Sequence, residues 1–225
     1  MRVPLTKYGL PQVAVYPLAI LVLMAVLFLV FWPAIWLIPL EAFLFLVFVW
    51  MLSFFRDPSR TIVADETILY SPADGTVTDI SLVDDNELGA EVLRIGIFLS
   101  VFNVHINRVP CYVRIESVTY KKGRFINAAS SEASKVNESN DILMQRLSEP
   151  KDRLLVRQIT GAIARHIVCR AQAGEEYRQG QPFGMIKFGS RTELYLPAGD
   201  NFEICAKIGD KLRAGLSPLI RYNKP

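Results

Sequence analysis

The stretch from Val13 to Phe55 constrains this chain more than any other. Of its 43 residues, all but Pro17, Pro33, Pro39, Glu41 and Ser53 are apolar. Between Lys7 and Arg56 the only charge is Glu41. A bilayer span takes about 20 apolar residues, and two fit here, Val13–Trp32 and Ala34–Phe55, on either side of Pro33. Two geometries satisfy the pattern. One is a helical hairpin that crosses twice, with its turn near residues 32–41. The other is a segment that dips into one leaflet without crossing. The run is too long for a signal-peptide core of about 7–15 residues, and no small-residue cleavage site follows it. Arg2 and Lys7 flank one end, Arg56 and Arg60 the other. By the positive-inside rule, both ends and all of residues 56–225 are expected on the cytoplasmic face of the cell membrane. Trp32, Trp36 and Trp50 suit either the membrane interfaces or generic lipid-facing bulk.

Outside this segment the chain is ordinary. About 42% of the remaining residues are apolar, which with the glycines matches a globular domain and excludes disorder. Residues 1–55 therefore read as a membrane-anchoring segment and 56–225 as one domain with a sizeable core. That domain is near neutral, with a net charge of +2, and lacks the basic stripe of a nucleic-acid binder. Cys111, Cys169 and Cys205 are widely spaced, with no Cys-x-x-Cys pair for zinc. A cytoplasmic domain keeps them reduced, and all three are expected to be buried small hydrophobes.

The soluble domain is rich in short strand signals. Glu91–Leu99 holds a buried apolar run, and Tyr112–Val118 alternates, with Val113 and Ile115 on one face. Arg153–Ile159, Ile163–Cys169, Thr192–Leu196 and Phe202–Ala206 read similarly. Turns are expected at Ala73-Asp74-Gly75, Lys122-Gly123, Gly199-Asp200 and Gly209-Asp210. Asp141–Leu147 is the one stretch expected to be helical. The Ser/Asn-rich residues 127–140 before it read as a loop, either over a site or on the plain surface. The fold class is mainly β (α+β), a sandwich-like or barrel-like β domain behind an N-terminal hydrophobic helical hairpin. Ser71–Val77 and Lys207–Gly215 resemble the paired turns of the biotinyl/lipoyl-type sandwich. No Met-Lys-Met tip is present, so a carrier role is weakly supported.

Familiar catalytic signatures are missing. The two histidines, His105 and His166, belong to no evident Ser-His-Asp set, and there is no nucleophile elbow, P-loop or dinucleotide fingerprint. No His-x-x-x-His pair or carboxylate cluster suggests a metal. A Gly-Ser pair, Gly189-Ser190, sits between two strand-like runs within Phe183–Pro197. Alone it would read as a turn. Three stretches in order change that reading: Ser71-Pro72-Ala73-Asp74-Gly75, then Phe102-Asn103-Val104-His105-Ile106-Asn107-Arg108-Val109-Pro110, then Phe188-Gly189-Ser190. With the apolar N-terminus, this order resembles the short, membrane-anchored form of the phosphatidylserine decarboxylases, over essentially the whole domain.

The resemblance implies a pyruvoyl-dependent lyase that first cuts itself. Ser190 Oγ would attack the Gly189 carbonyl, shifting the chain from amide to ester. Elimination and hydrolysis would then turn Ser190 into a covalent, self-derived pyruvoyl group. The products would be a large chain (1–189) and a small chain (190–225) that stay associated. Glycine at 189 permits a bent backbone, and a serine hydroxyl needs a neighbouring base. Phosphatidylserine in the membrane would lose CO2 to give phosphatidylethanolamine, with the pyruvoyl carbonyl as electron sink. His105 matches a family histidine suited to proton transfer, and Asp74 matches the family aspartate thought to support the base. Where long members carry a second histidine, this chain has Arg108, which stays protonated. Either His105 does both jobs or the base lies elsewhere. Arg191 replaces the Thr that usually follows the serine, as short members tend to show. His166 matches no motif and reads as structural. Arg56 with Arg60, and Lys121 with Lys122 and Arg124, are two basic clusters that suit a lipid phosphate or plain solvated faces. Two alternatives stand beside this reading: a decarboxylase of a related serine-headed lipid, and a non-catalytic membrane-tethered β-sandwich that binds.

Overall fold

The computed structural model describes residues 5–130, 132–162, 166–187 and 189–223; Arg2, Ile163 and Phe188, which enter the sequence reading, lie outside them. The chain forms two compact units, Met1–Ser59 and Arg60–Pro225.

The first unit is a helical hairpin. After one 3-10 turn at Lys7–Gly9 come α1 (Gln12–Phe31) and α2 (Leu37–Phe54). At 20 and 18 residues, each is long and apolar enough to cross a membrane. Their apolar residues are spread around the whole circumference, as lipid-facing helices require. Large side chains such as Leu18, Leu29, Ile38 and Leu46 are exposed. Pro33 falls in the connection, where it breaks no helical hydrogen bond. The two ends come back together, with Leu5 bridged to Arg56 and the Thr6 amide donating to the Phe55 carbonyl at 2.9 Å. This hairpin is compatible with membrane association.

The second unit is mainly β. In chain order it runs β1 (Ile68–Tyr70), β2 (Gly75–Asp85), β3 (Gly89–Leu99), β4 (Ile106–Arg108) and β5 (Val113–Lys121), then a four-residue helix α3 (Ala133–Val136). There follow β6 (Ser139–Arg146), β7 (Arg153–Ile159), β8 (His166–Cys169), β9 (Glu176–Tyr177), β10 (Pro182–Lys187) and β11 (Ser190–Pro197). Last come β12 (Phe202–Ile204), β13 (Lys211–Leu212) and β14 (Pro218–Tyr222). Eight strands make one curled, antiparallel half-barrel in the order β13-β2-β3-β11-β7-β6-β5-β9. Two three-stranded sheets accompany it, β1-β14-β12 and β4-β10-β8.

Strand alternation divides the apolar residues of the half-barrel between two faces. Leu93, Ile95, Ile97, Ile142, Met144, Leu154, Val156, Leu194 and Leu196 join the main core. Their alternate neighbours Val92, Leu143, Leu155 and Tyr195 form a second cluster on the other face. This two-sided burial corrects one expectation. Asp141–Leu147 is not helical: Ser139–Arg146 is strand β6, paired with β5 and β7. Leu, Met, Gln and Arg favour helices when local preference decides. Here partners on both edges and apolar cover on both faces outweigh it. The Ser/Asn-rich loop is accordingly shorter than expected and contains α3. The strand expected over 202–206 ends at Ile204. Of the cysteines only Cys111 is buried; Cys169 is half-buried and Cys205 exposed, so that expectation fails for Cys205.

The two turn-rich stretches meet. Thr76 and Gly75 pair with Lys211 and Leu212, and the Val77 and Gly209 amides exchange bonds with the Asp210 and Val77 carbonyls.

Candidate active site

Gly189-Ser190 lies where the chain passes from one sheet to another. Strand β10 belongs to the three-stranded sheet with β4 and β8, and β11 to the half-barrel between β3 and β7. The corner between them needs a sharp turn, and Gly189 takes it at φ +63°, in the left-handed region glycine enters freely. Ser190 then pairs with Leu99 of β3. Its side chain is fully buried, and its Oγ makes no hydrogen bond among the described residues. A buried hydroxyl without a partner forgoes about 1–3 kcal/mol, so its persistence asks for a reason.

His105 supplies a neighbour. It leads into β4, whose Ile106 and Asn107 pair with Met185 and Gly184 of β10, and its carbonyl accepts from the Ile186 amide. This pairing carries the imidazole to the end of β10. The Gly189 amide donates to His105 Nε2 at 3.3 Å. On the other side of the ring, Nδ1 lies 3.0 Å from the Asn103 carbonyl. A carbonyl can only accept, so Nδ1 carries the proton and Nε2 has its lone pair. Asn103 is held in turn, its side-chain oxygen accepting from the Ser100 amide and hydroxyl at 2.9 and 2.8 Å. A nitrogen lone pair thus sits beside the peptide that precedes Ser190.

A cavity of about 250 Å³ opens at this corner, lined by Phe98, Ser100, Val101, Asn127, Ala128, Ala162 and Gly189. Asn127 and Ala128 come from the Ser/Asn-rich loop, which therefore flanks the site. Backbone approaches closely here: a Cβ on Gly161 would fall on the Gly189 carbonyl oxygen.

Asp74 is held elsewhere. Its carboxylate takes two bonds from Arg60, at 2.7 and 2.8 Å, and one from the Ala214 amide at 2.8 Å. Among the described residues none of its bonds runs to His105 or Ser190. Its loop does border β4, since the Pro72 carbonyl accepts from the Arg108 amide at 3.0 Å. Arg60, expected to be available to a lipid phosphate, is instead buried against Asp74. In the second basic cluster, Lys121 is engaged by Asp141 at 2.7 Å. Arg108 is also buried, donating to the Gly180 carbonyl. His166 is exposed on β8, opposite Lys187.

Several residues around the corner were missed from sequence. Asn107 bonds Thr192 Oγ1 and Gln158, and Gln158 bonds Asn140, a buried amide chain linking β4 to β11, β7 and β6. The signal was present: His105 and Asn107, and Ser190 and Thr192, are uncharged or titratable polar residues at strand spacing, two apart on one face. On the opposite face of β11, Arg191 and Glu193 are fully buried. Arg191 donates to Glu193 at 2.7 Å, Thr78 at 2.7 Å and Asp79 at 2.5 Å. Burial pushes the Asp79 carboxyl up, but the Arg191 bond and charge, with Thr78 and Arg94, hold it below its ordinary value. Among the described residues no three His, Cys, Asp or Glu side chains gather as metal ligands.

A family model described as phosphatidylserine decarboxylase matches residues 47–219. Proteins named phosphatidylserine decarboxylase proenzyme are similar to most of the chain. One from Rhodopirellula baltica is 41% identical over 222 residues, covering 98% of this chain and 89% of that protein. One from Carboxydothermus hydrogenoformans is 43% identical over 178 residues, covering 79% and 82%. One from Geotalea uraniireducens is 37% identical over 212 residues, covering 94% and 93%.

Proposed function

Given that this chain belongs to the phosphatidylserine decarboxylase family, and is thus a decarboxylase, we propose that it cuts itself between Gly189 and Ser190 and then converts phosphatidylserine to phosphatidylethanolamine and CO2. Family membership sets aside the non-catalytic binding module. The observation that carries the proposal is the corner itself: a buried Ser190 hydroxyl with no partner among the described residues, a left-handed Gly189 before it, and the His105 lone pair at 3.3 Å from the Gly189 nitrogen.

The residues present fit a serine-derived carbonyl at position 190. In the first step Ser190 Oγ attacks the Gly189 carbonyl carbon. The hydroxyl proton passes to His105 Nε2, which trades its long contact with the Gly189 amide for this stronger one. The peptide C–N bond breaks, its nitrogen takes the proton, and an ester remains. Loss of the Cα proton of residue 190 and cleavage of the ester C–O bond leave a Gly189 carboxylate and a dehydroalanine. Water then replaces its nitrogen, which departs as ammonia. The resulting pyruvoyl group supplies an electron sink for the loss of CO2. His105 remains beside it to move a proton, and the cavity lined by Ser100, Asn127 and Ala128 receives the seryl headgroup. Asp74 acts at one remove, pinning the Ser71–Gly75 loop through Arg60 and Ala214 so that Pro72 frames β4.

The corner also supports continued association of the two chains. The small chain would keep β11, held between β3 and β7 of the large chain. The cytoplasmic placement of the catalytic domain follows from Lys7 and Arg56 flanking the hairpin, and protease access in sealed inverted vesicles reads it directly.

Intact mass of the purified protein is the test. Two chains, 1–189 and 190–225, with a blocked small-chain terminus, are expected. Ser190→Ala should leave one 25.4 kDa chain and no CO2 release. A single intact chain in an active wild-type preparation would overturn the proposal.

A further inference from the structure

Breaking the bond before Ser190 creates a problem that the uncut chain does not have. The reactive residue becomes the first of its chain, and strand ends fray unless something ties them. Strand alternation puts Ser190 on the face with Thr192, Leu194 and Leu196, and Arg191 on the other face with Glu193 and Tyr195. On that second face the structure holds a socket for Arg191. Its guanidinium is fully buried and bonds Asp79 and Thr78 of β2 as well as Glu193 of its own strand. Arg94 of β3 adds an ion pair with Asp79 at 3.0 Å. The socket exists because residue 96 has no side chain: a Cβ on Gly96 would fall on the Arg191 guanidinium and the Asp79 carboxylate. Glu193 is tied further, to Tyr195 at 2.5 Å and to Ser134 of α3 at 2.5 Å. The loop that flanks the cavity is thereby fastened to the same carboxylate.

We propose that Arg191 is the positioning residue of the mature site: its ion pair with the half-buried Asp79 clamps the new end of the small chain into the sheet. This rests on self-cleavage between Gly189 and Ser190. The clamp grips from the face opposite the reaction, so it holds residue 190 without occupying the cavity. It also spans the cut, because Asp79 and Thr78 belong to the large chain and Arg191 to the small one. Each of its three guanidinium nitrogens donates to protein and the group is fully buried, so Arg191 is not placed to take a phosphate. Lysine would keep the charge but lose the fork that reaches Asp79, Thr78 and Glu193 together.

The test compares Arg191→Met, Arg191→Lys and Thr78→Val in the full-length membrane protein, each also in a Ser190→Ala background that never cuts. Amide hydrogen exchange over residues 191–195 is read together with kcat and KM on phosphatidylserine vesicles. In uncut protein the Gly189 peptide bond still tethers the strand, so exchange should change no more than about threefold. In cut protein, Arg191→Met should speed exchange and lower kcat by about tenfold or more each at unchanged KM, with Arg191→Lys and Thr78→Val intermediate. A merely structural arginine would loosen cut and uncut protein equally, and that result overturns the inference. So does wild-type kcat in cut Arg191→Met, or failure of all three variants to cut, which would place Arg191 before scission. If wild type itself remains uncut, the self-cleavage reading falls first and takes this inference with it.

Discussion

Gly161 is the sharpest place to test the geometry of self-cleavage. A methyl group at this position would land on the Gly189 carbonyl oxygen, and the next atom in its way is the Ala128 Cβ at 3.1 Å. Gly161→Ala must therefore move the scissile carbonyl, the 160–162 backbone or both by roughly 1 Å. Misplacing a reacting group by about that much costs on the order of 10²-fold in rate. Overpacking itself destabilises by about 1–3 kcal/mol, so folding is followed alongside. The assay is cell-free synthesis of the chain into vesicles, with the fraction cut followed by gel over time and thermal unfolding measured on the Ser190→Ala form. Gly199→Ala serves as the control, since among the described residues the only side chain near its Cβ is that of Asn201. The expected outcome is cleavage slowed about 100-fold in Gly161→Ala and unchanged in Gly199→Ala, with both folded. Cleavage of Gly161→Ala at the wild-type rate would refute the claim that this backbone contact sets the carbonyl.

Other consequences follow from the charges and thiols. The Asp79 carboxyl is held below its ordinary value by Arg191, so its stabilisation is complete above the ordinary carboxylate pKa, about 4, and is lost as pH falls through the depressed value. Asp79→Asn should flatten the acid limb of a thermal-stability profile in that range; an unchanged limb would refute this. Arg157 is pinned by Asp141 at 2.5 and 2.9 Å and by Asp85 at 3.2 Å, all largely buried. Arg157→Met takes the shared guanidinium from both carboxylates, leaving Asp141 only Lys121 and Asp85 only backbone amides among the described residues, and should cost about 3–5 kcal/mol in denaturant titration; a loss below 1 kcal/mol would contradict it. A maleimide should label exposed Cys205 quickly. Cys111, buried and with its thiol pushed up to about 12 by desolvation, should react only after unfolding.

Features that depend only on neighbours along the chain can be read from the residues alone. The two spans are legible because lipid asks the same thing of every residue in them, and a proline can mark the turn. Strands with one wet face are legible too: Val113 and Ile115 are buried while Arg114 and Glu116 are not. The order of the three motifs pointed to Ser190 and His105, and the structure brings His105 to the Gly189 amide. Tertiary structure alone decided the rest, because it depends on partners far apart in sequence. The stretch 141–146 is strand because β5 and β7 cover its edges and two apolar clusters its faces. Arg60 lost its solvent to Asp74, and Cys205 kept its exposure just beyond the short strand β12. Arg191 looked like a simple exchange for threonine. Its role rests on Asp79, more than a hundred residues earlier, and on the side chain that Gly96 lacks. The socket exists only where the sheet brings β2, β3 and β11 together, and no spacing along the chain can announce it.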